Sequence, residues 1–410
     1  MTQVPIGCCA RTFDIIIVGG GPVGMTAAYM MAEQGFQVAL VDRLDYSDVL
    51  AATYDGRTFA YAYGSKLILE ELGLWNSLAP HAVAIQDIIV TGENPDDSLH
   101  YQAEEVADHP MGFNIETRHY RKTLFAALST HPNFTLFAPA TLTELTFSPA
   151  KVECLVQDSQ GQPLALQAPL CIAADGKNSA IRAQLKIQDK QIAYQQKALV
   201  FVIEHQHPHH HCAHEYFLPS GPLAVLPMAG HQSGVIWSLT QDRADHYYAL
   251  SEPMLAQELA NHFAPILGKI TITGQRWLFP LEVIVVKNYV APRCVLVGDA
   301  AHNIHPVAGQ GFNLGLRDAY FLNQHLVKAQ HLGLDIGSLA LLQNYEKSRR
   351  LDVLSMTGMC HGLIRLFSND NRTLSYLRGA GLKMVNRLSP LKKQLTRHAM
   401  GLAALRRKRL

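Results

Sequence analysis

An α/β fold is what this sequence predicts: a parallel sheet flanked by helices, interrupted by a mixed β-sheet and followed by C-terminal helices. Three observations carry that expectation. Residues 13–43 read as strand, glycine-rich turn, helix and strand in that order. Two further apolar strands, "CIAADG" at 171–176 and "CVLVGD" at 294–299, each end in an acid beside a glycine. The stretches near 85–92 and 199–281 read as strands without glycine–helix punctuation.

The first element is "FDIIIVGGGPVGMTAAYMMAEQGFQVALVDR", Phe13–Arg43. Ile15–Val18 has the β-branched apolar content of a buried parallel strand. Gly19-x-Gly21-x-x-Gly24 follows at once and opens a helical pattern. A second strand, Gln37–Val41, ends on Asp42, 18 positions beyond Gly24. Each residue type has a use in holding a dinucleotide. Gly19 makes the tight turn, Gly21 lets backbone amides approach a pyrophosphate, and Gly24 lets helix and strand pack closely. Asp42 then meets a ribose hydroxyl. This segment alone does not separate FAD from NAD.

Length and composition limit the rest. A chain of 410 residues exceeds one ordinary core and suggests two domains sharing an interface. Its apolar runs stop well short of the ~20 residues that span a bilayer, and the first residues have no signal-peptide pattern. None of the 7 cysteines forms a C-x-x-C or C-x4-C pair. A reducing, cytoplasmic compartment is therefore expected, with Cys171 and Cys294 as buried small hydrophobes.

The second motif runs through Asp175-Gly176 to Ser179 and Arg182, and the third from Gly298 to Asp318 as "GDAAHNIHPVAGQGFNLGLRD". With the first, they resemble in order the class A flavoprotein aromatic hydroxylases. "DGRTFAYAYGSKLILEELGLW" (Asp55–Trp75), "ETRHYRKTLFAAL" (Glu116–Leu128), "YFLPSGPLAVLPM" (Tyr216–Met228) and "WLFPLEV" (Trp277–Val283) narrow the resemblance to the ubiquinone-biosynthesis hydroxylases. "GLIRLFSND" (Gly362–Asp370) and the tail are closer to the 2-polyprenyl-6-methoxyphenol hydroxylase branch. The resemblance covers essentially the whole chain. Tyr61 and Tyr63 depart from it, standing where smaller or aliphatic residues are common, and are expected to alter the substrate cavity.

That resemblance implies a Rossmann-like FAD-binding domain with an inserted mixed β-sheet substrate domain and C-terminal helices. The implied divisions are 1–80, 111–190 and 286–345 for FAD binding, 81–110 and 191–285 for substrate, and 346–410 for a helical region with a basic tail. It implies FAD as cofactor, NAD(P)H as co-substrate, and O2 trapped as a C4a-hydroperoxide that hydroxylates a polyprenylated phenol. The implied FAD set is Gly19, Gly21, Gly24, Asp42 and Arg43, then Arg57, Arg118 and Asp175. Asp299 is implied to hold the ribityl chain, and Pro306, Gly309, Gln310, Gly311 and Asn313 the ring edge.

The residues of the third motif suit that role. Gly309-Gln310-Gly311 brings backbone amides forward, and a helix then begins with Phe312, Leu316, Ala319, Leu322 and Leu326 on one face. Its N-terminal dipole would favour an anionic reduced flavin by roughly 0.3–2 kcal/mol. Asn313 is expected to add a side-chain donor. No protein nucleophile is needed, because the flavin carries the hard step. His302 and His305 are expected to pack the loop rather than bind metal, with His305 the candidate for activating a phenol. The histidine-rich "EHQHPHHHCAHE" (Glu204–Glu215) lies between strand patterns and reads as a solvated loop.

Strands near Ile85–Gly92, Leu199–Glu204, Glu215–Leu226, Gly234–Leu239 and Thr271–Leu281 form the expected inserted sheet, whose apolar character suits an apolar substrate. From residue 371 onward there are 11 basic residues and no acid, so the net +1 conceals a body at −10. In "SPLKKQLTRHAMGLAALRRKRL", Leu391, Leu395, Leu402 and Leu405 recur at helical spacing beside Lys392, Lys393 and Arg397. Such a helix fits an anionic inner-membrane surface, a ubiquinone-biosynthesis complex, or docking on its own domain. No aromatics interleave with those charges, which argues against nucleic acid. Two other readings fit the same motifs: a hydroxylase of a soluble aromatic compound, and a flavin-loaded subunit without turnover.

Overall fold

A computed structural model describes residues 10–51, 56–92, 98–367, 386 and 388–402. Cys8, Cys9, Asp55, Leu405 and the terminal run Arg406–Arg409 lie outside the described residues, as does the end of the Gly362–Asp370 segment.

The parallel sheet forms where the apolar runs predict it. Its order is Val290–Ala291, Cys294–Leu296, Leu170–Ala173, Ile15–Val18, Val38–Val41 and Phe134–Phe137, parallel throughout except the first hairpin. Every residue of Ile15–Val18, Leu170–Ala173, Val38–Val41 and Cys294–Leu296 is buried, as expected of strands covered on both faces. Cys171 and Cys294 are fully buried on adjacent strands. Helix Pro22–Glu33 lies against this sheet and against helix Gly311–His331, joining the first and third motifs in one core.

The second sheet has eight strands in the order His302–Asn303, Ile270–Val286, Asp189–His205, Gln232–Thr240, Gly221–Pro227, Cys212–Leu218, Asp87–Thr91 and Ser98–Gln102. It is mixed, because Cys212–Leu218 pairs in parallel with Asp87–Thr91 while its other pairs are antiparallel. The single strand expected over Glu215–Leu226 is instead a hairpin. It turns at Gly221, whose φ of +125° is closed to other residues and whose Cβ position lies 1.9 Å from the Ser238 carbonyl oxygen. Period-2 alternation gives the sheet two apolar faces. Leu223, Val225, Val235, Trp237 and Leu239 pack under helix Glu252–Leu267, and their neighbours in sequence face the parallel sheet's side.

A four-stranded sheet of Arg11–Thr12, Pro163–Ala168, Val152–Asp158 and Ala140–Phe147 was not anticipated. The histidine-rich segment also differs from expectation. His207, His210 and His211 are exposed, but His205, His209 and His214 are buried. His205 bonds the His207 carbonyl and Ser233, and His209 bonds the Met228 carbonyl, so these rings act as hairpin struts.

The tail helix Ser389–Ala399 docks on the body. Its buried stripe is Lys392, Thr396 and Met400, not the leucines: Leu395 and Leu402 are only half-buried. Lys392 pairs with Glu105 at 2.7 Å, and Met400 packs with Ala103 and Met111. No helix among the described residues is long and apolar enough to cross a membrane.

Candidate active site

Adjacent parallel strands end together at one edge, and their carboxyl ends carry the sequence motifs. The glycine turn leaves Ile15–Val18, Asp42 follows Val38–Val41, Asp175 follows Leu170–Ala173, and Asp299 follows Cys294–Leu296. In open α/β sheets the ligand crevice lies beyond such strand ends.

The glycines divide into structural and open positions. Gly19 has φ +105°, and a Cβ there would lie 2.3 Å from the Ala174 carbonyl oxygen. A Cβ at Gly24 would lie 1.9 Å from the Gly19 carbonyl oxygen, so helix and strand touch through bare backbone. Gly21 differs: nothing lies within 4 Å of its Cβ position. The free space thus sits where a pyrophosphate would approach the N-terminus of Pro22–Glu33, which has no side-chain cap. Asp42 accepts from the Gly20 and Leu44 amides, and Tyr46 donates to the Gly20 carbonyl at 2.6 Å. Tyr46, which sequence reasoning passed over, therefore braces the glycine turn. Arg43 is exposed beside Asp42.

The second and third motifs are bound together. Arg182 is buried, donating to the Ala300 carbonyl at 3.0 Å and the Lys177 carbonyl at 2.7 Å, and pairing with Asp189 at 3.0 Å. Asp175 accepts from the Ile181 amide, while its buried Oδ1 has no partner among the described residues. Asp299 reaches solvent, yet crowding by protein raises its pKa, against the pull of His302, Lys177 and Arg57. A carboxylate at the foot of a recess fits both facts, with acceptors available to hydroxyl donors. Arg57 holds its guanidinium 5.9 Å from the Phe279 ring, and its carbonyl accepts from Thr117. Arg118 pairs with Glu116 at 2.8 Å.

Past Pro306, the turn Val307–Gly309 leads into helix Gly311–His331. Gly309 has φ +60°, and a Cβ there would lie 3.2 Å from Ala60. The expected helix face is buried, and the N-terminus has no side-chain cap, which leaves first-turn amides available to a ligand. Two residues have a different role from that expected. Asn313 is fully buried; it accepts from the Ala62 amide and Ser65, and donates to the Ala60 and Gly309 carbonyls. Its amide is consumed, so it fixes the turn instead of donating to a ligand. The Gln310 side chain donates to the Ala399 carbonyl at 3.3 Å and so holds the tail helix.

His302 is committed to Asp318, which also takes Arg349 at 2.8 Å. Burial acts to raise the Asp318 pKa, but His302 and Arg349 hold it down at about 2. His305 is buried edge-on to Tyr194, with ring centroids 5.4 Å apart. Burial lowers its pKa to about 4, so it stays neutral, and its Nδ1 accepts from the Val307 amide.

Between the Pro306–Gly309 turn and the eight-stranded sheet lies a cavity of about 100 Å³. Ala60, Pro306, Val307 and Gly309 form one side, and Ile88, Ala213, Glu215, Pro222, Ala224, Leu226, Ile236 and Ser238 contribute to the other. Tyr61 and Tyr63 do not line it. Tyr61 packs against Tyr120 and Phe312, and Tyr63 stacks on His109. Glu215, expected from the sequence at the end of a loop, places a carboxyl in this mostly apolar wall, which His214 and Ser238 also line. Burial raises its pKa to about 8.

Residues 12–357 match the FAD binding domain family. The chain is 40% identical over 395 residues to the ubiquinone hydroxylase UbiL of Rhodospirillum rubrum, covering 96% of this chain and 91% of that one. It belongs to the ubiquinone-biosynthesis FAD-dependent hydroxylases. A 3-demethoxyubiquinol 3-hydroxylase of Escherichia coli is 30% identical, covering 95% of this chain and 98% of that one. The fold is also that of p-nitrophenol 4-monooxygenase from Pseudomonas putida, with TM-score 0.79 at 18% identity, covering 96% and 98% of the two chains. As a member of this family the chain is an FAD-dependent aromatic-ring monooxygenase, and its open glycine, unpartnered Asp175 oxygen and uncapped helices fit the cofactor.

Proposed function

We propose that this hydroxylase acts on the ring of a polyprenylated phenol, 2-polyprenyl-6-methoxyphenol, in ubiquinone biosynthesis, with NAD(P)H as reductant and O2 as oxygen donor. The observation that carries the reading is the apolar cavity set directly against the Pro306–Gly309 turn. A ring placed there meets small aliphatic side chains on both sides and few groups that a charged aromatic acid would need. The names of the curated relatives support the same substrate class.

When bound, FAD supplies the redox chemistry and transfers one oxygen atom of O2 to the ring. The protein's part is to bind, orient and dry the site. Gly19, Gly21 and Gly24 admit the pyrophosphate, Asp42 and Arg43 take the adenosine end, and Asp175 turns its unpaired oxygen toward the dinucleotide. Asp299 takes the ribityl hydroxyls, while Arg57 and Arg118 flank the recess. The uncapped amides beyond Gly309, Gln310 and Gly311 face the polar ring edge, with Pro306 and Asn313 fixing their position. The exposed Lys393 and Arg397 of the tail support a peripheral place on the inner membrane or on a biosynthetic complex.

Deletion of the gene, followed by mass spectrometry of quinone intermediates, tests the substrate. Accumulation of a polyprenylated phenol one hydroxyl short is expected. An unchanged quinone pool overturns the reading.

A further inference from the structure

We propose that Glu215 accepts the hydrogen bond of the substrate's ring hydroxyl and removes its proton during hydroxylation. This rests on the reading of the cavity as the site of a phenol. In strand Cys212–Leu218, alternate residues face opposite ways. Tyr216 and Leu218 join the core under helix Glu252–Leu267, and His214 lies edge-on to Phe263 there. Ala213, Glu215 and Phe217 therefore face the flavin side. Glu215 pairs across the sheet with Ala224 and Val90, neither of which offers a polar side chain.

Among the described residues, no hydrogen bond or ion pair engages the Glu215 carboxyl. Its side chain is half-buried and lines the same cavity as Pro306, Val307 and Gly309. A polar group placed in an apolar wall without a partner is costly unless a ligand satisfies it. The titratable groups around it do not replace such a ligand. His214 also lines the cavity, but burial lowers its pKa to about 4 and its ring lies edge-on to Phe263. Cys360, on the helix Leu339–Phe367, has its thiol pushed up to about 12 and lies against the Val307 carbonyl. Asp87, at the start of the neighbouring strand, pairs with His100. Ser238 supplies the cavity's hydroxyl from strand Gln232–Thr240. His305, beside Pro306, is neutral and turned toward Tyr194.

The step moves one proton from the phenol oxygen to a Glu215 carboxylate oxygen, leaving the electron pair on the ring oxygen. The ring becomes richer in electrons before it receives oxygen. A carboxyl with a pKa raised to about 8 is a better match to a phenol than an ordinary carboxylate. The active form is the carboxylate, so turnover rises as pH rises through that value.

The test compares the FAD-loaded wild type with Glu215→Gln and Glu215→Asp, using a short-chain prenylated methoxyphenol. Hydroxylated product is measured from pH 6 to 10, and binding is read from the flavin absorbance change. Glu215→Gln is expected to keep FAD, bind the phenol within a few-fold, and lose about 100-fold or more in product formation. Its rate should also lose the rise near pH 8, and Glu215→Asp should restore part of both. Wild-type turnover with an unchanged rate and pH profile in Glu215→Gln overturns the role of Glu215 alone. A flavin-loaded wild type that binds or hydroxylates no prenylated phenol overturns the substrate reading and this proposal together.

Discussion

Substituting single glycines separates the demands of the fold from those of the cofactor. Gly21 has φ −66° and ψ 174°, a conformation open to alanine, and its Cβ would enter empty space. Gly21→Ala should therefore leave the unfolding midpoint within a few degrees of wild type. It should weaken FAD binding by at least about tenfold, or ~1.4 kcal/mol, because the methyl enters the proposed phosphate path. Gly24→Ala should do the reverse first: its Cβ meets the Gly19 carbonyl, and the fold should lose about 1–3 kcal/mol before cofactor is considered. Flavin absorbance after desalting, set beside thermal melts, checks both. These glycines were legible because their spacing is dictated by backbone geometry. Asn313 and Glu215 were not, since the roles of a polar side chain depend on partners hundreds of positions away or on another sheet. Asn313 bonds Ser65 and Ala62 across more than 240 positions, and no local pattern announces that.

Helix Gly311–His331 shows how an element can serve the site at one end and the fold at the other. Its apolar face was readable from period alone, but its buried charges were not. Asp318 meets His302 and Arg349, and Arg349 and Arg317 share Asp352. This network ties the helix to Leu339–Phe367 and to the third-motif loop, so the proposed ribityl contact at Asp299 sits on a rigid base. Asp318→Asn removes one of the two carboxylate partners of the fully buried Arg349, leaving Asp352, and should cost roughly 1.5–3 kcal/mol in denaturant unfolding. The native pKa of about 2 lies below the ordinary 3.8. The stabilisation it represents is complete above that ordinary value and is lost as pH falls toward 2. Wild-type stability should thus decline across this window, and Asp318→Asn should show a flatter acid limb. The hairpin through Gly221 was misread for a related reason: apolar residues on both sides of "PSG" read as one strand until the turn is seen closing on Ser238.

For the molecule as a whole, the question is how an enzyme without a membrane-spanning helix among its described residues would reach the lipid-dissolved polyprenylated phenol proposed as its substrate. The tail's charge was plain in the sequence; which of its charges face outward was not, because that depends on the surface it packs against. Lys392 is spent on Glu105, and the stripe through Thr396 and Met400 fastens the helix to the body, with the Met400 carbonyl accepting from the Gly64 amide at 2.8 Å. Lys393 and Arg397 stay exposed. A basic surface of this kind gains about 1 kcal/mol per residue near anionic lipid, and salt screens the gain. Lys393→Gln with Arg397→Gln should therefore reduce binding to vesicles containing anionic phospholipid by roughly tenfold or more. The folded body should be unaffected, because neither side chain takes part in the docked stripe. Rate on a short-chain phenol in solution should also hold, while turnover of a long-chain phenol in vesicles falls with binding. Co-sedimentation at low and high salt measures the first effect, and product formation in the two substrate forms measures the second. Vesicle binding indifferent to both salt and the double substitution would move the contact away from this helix.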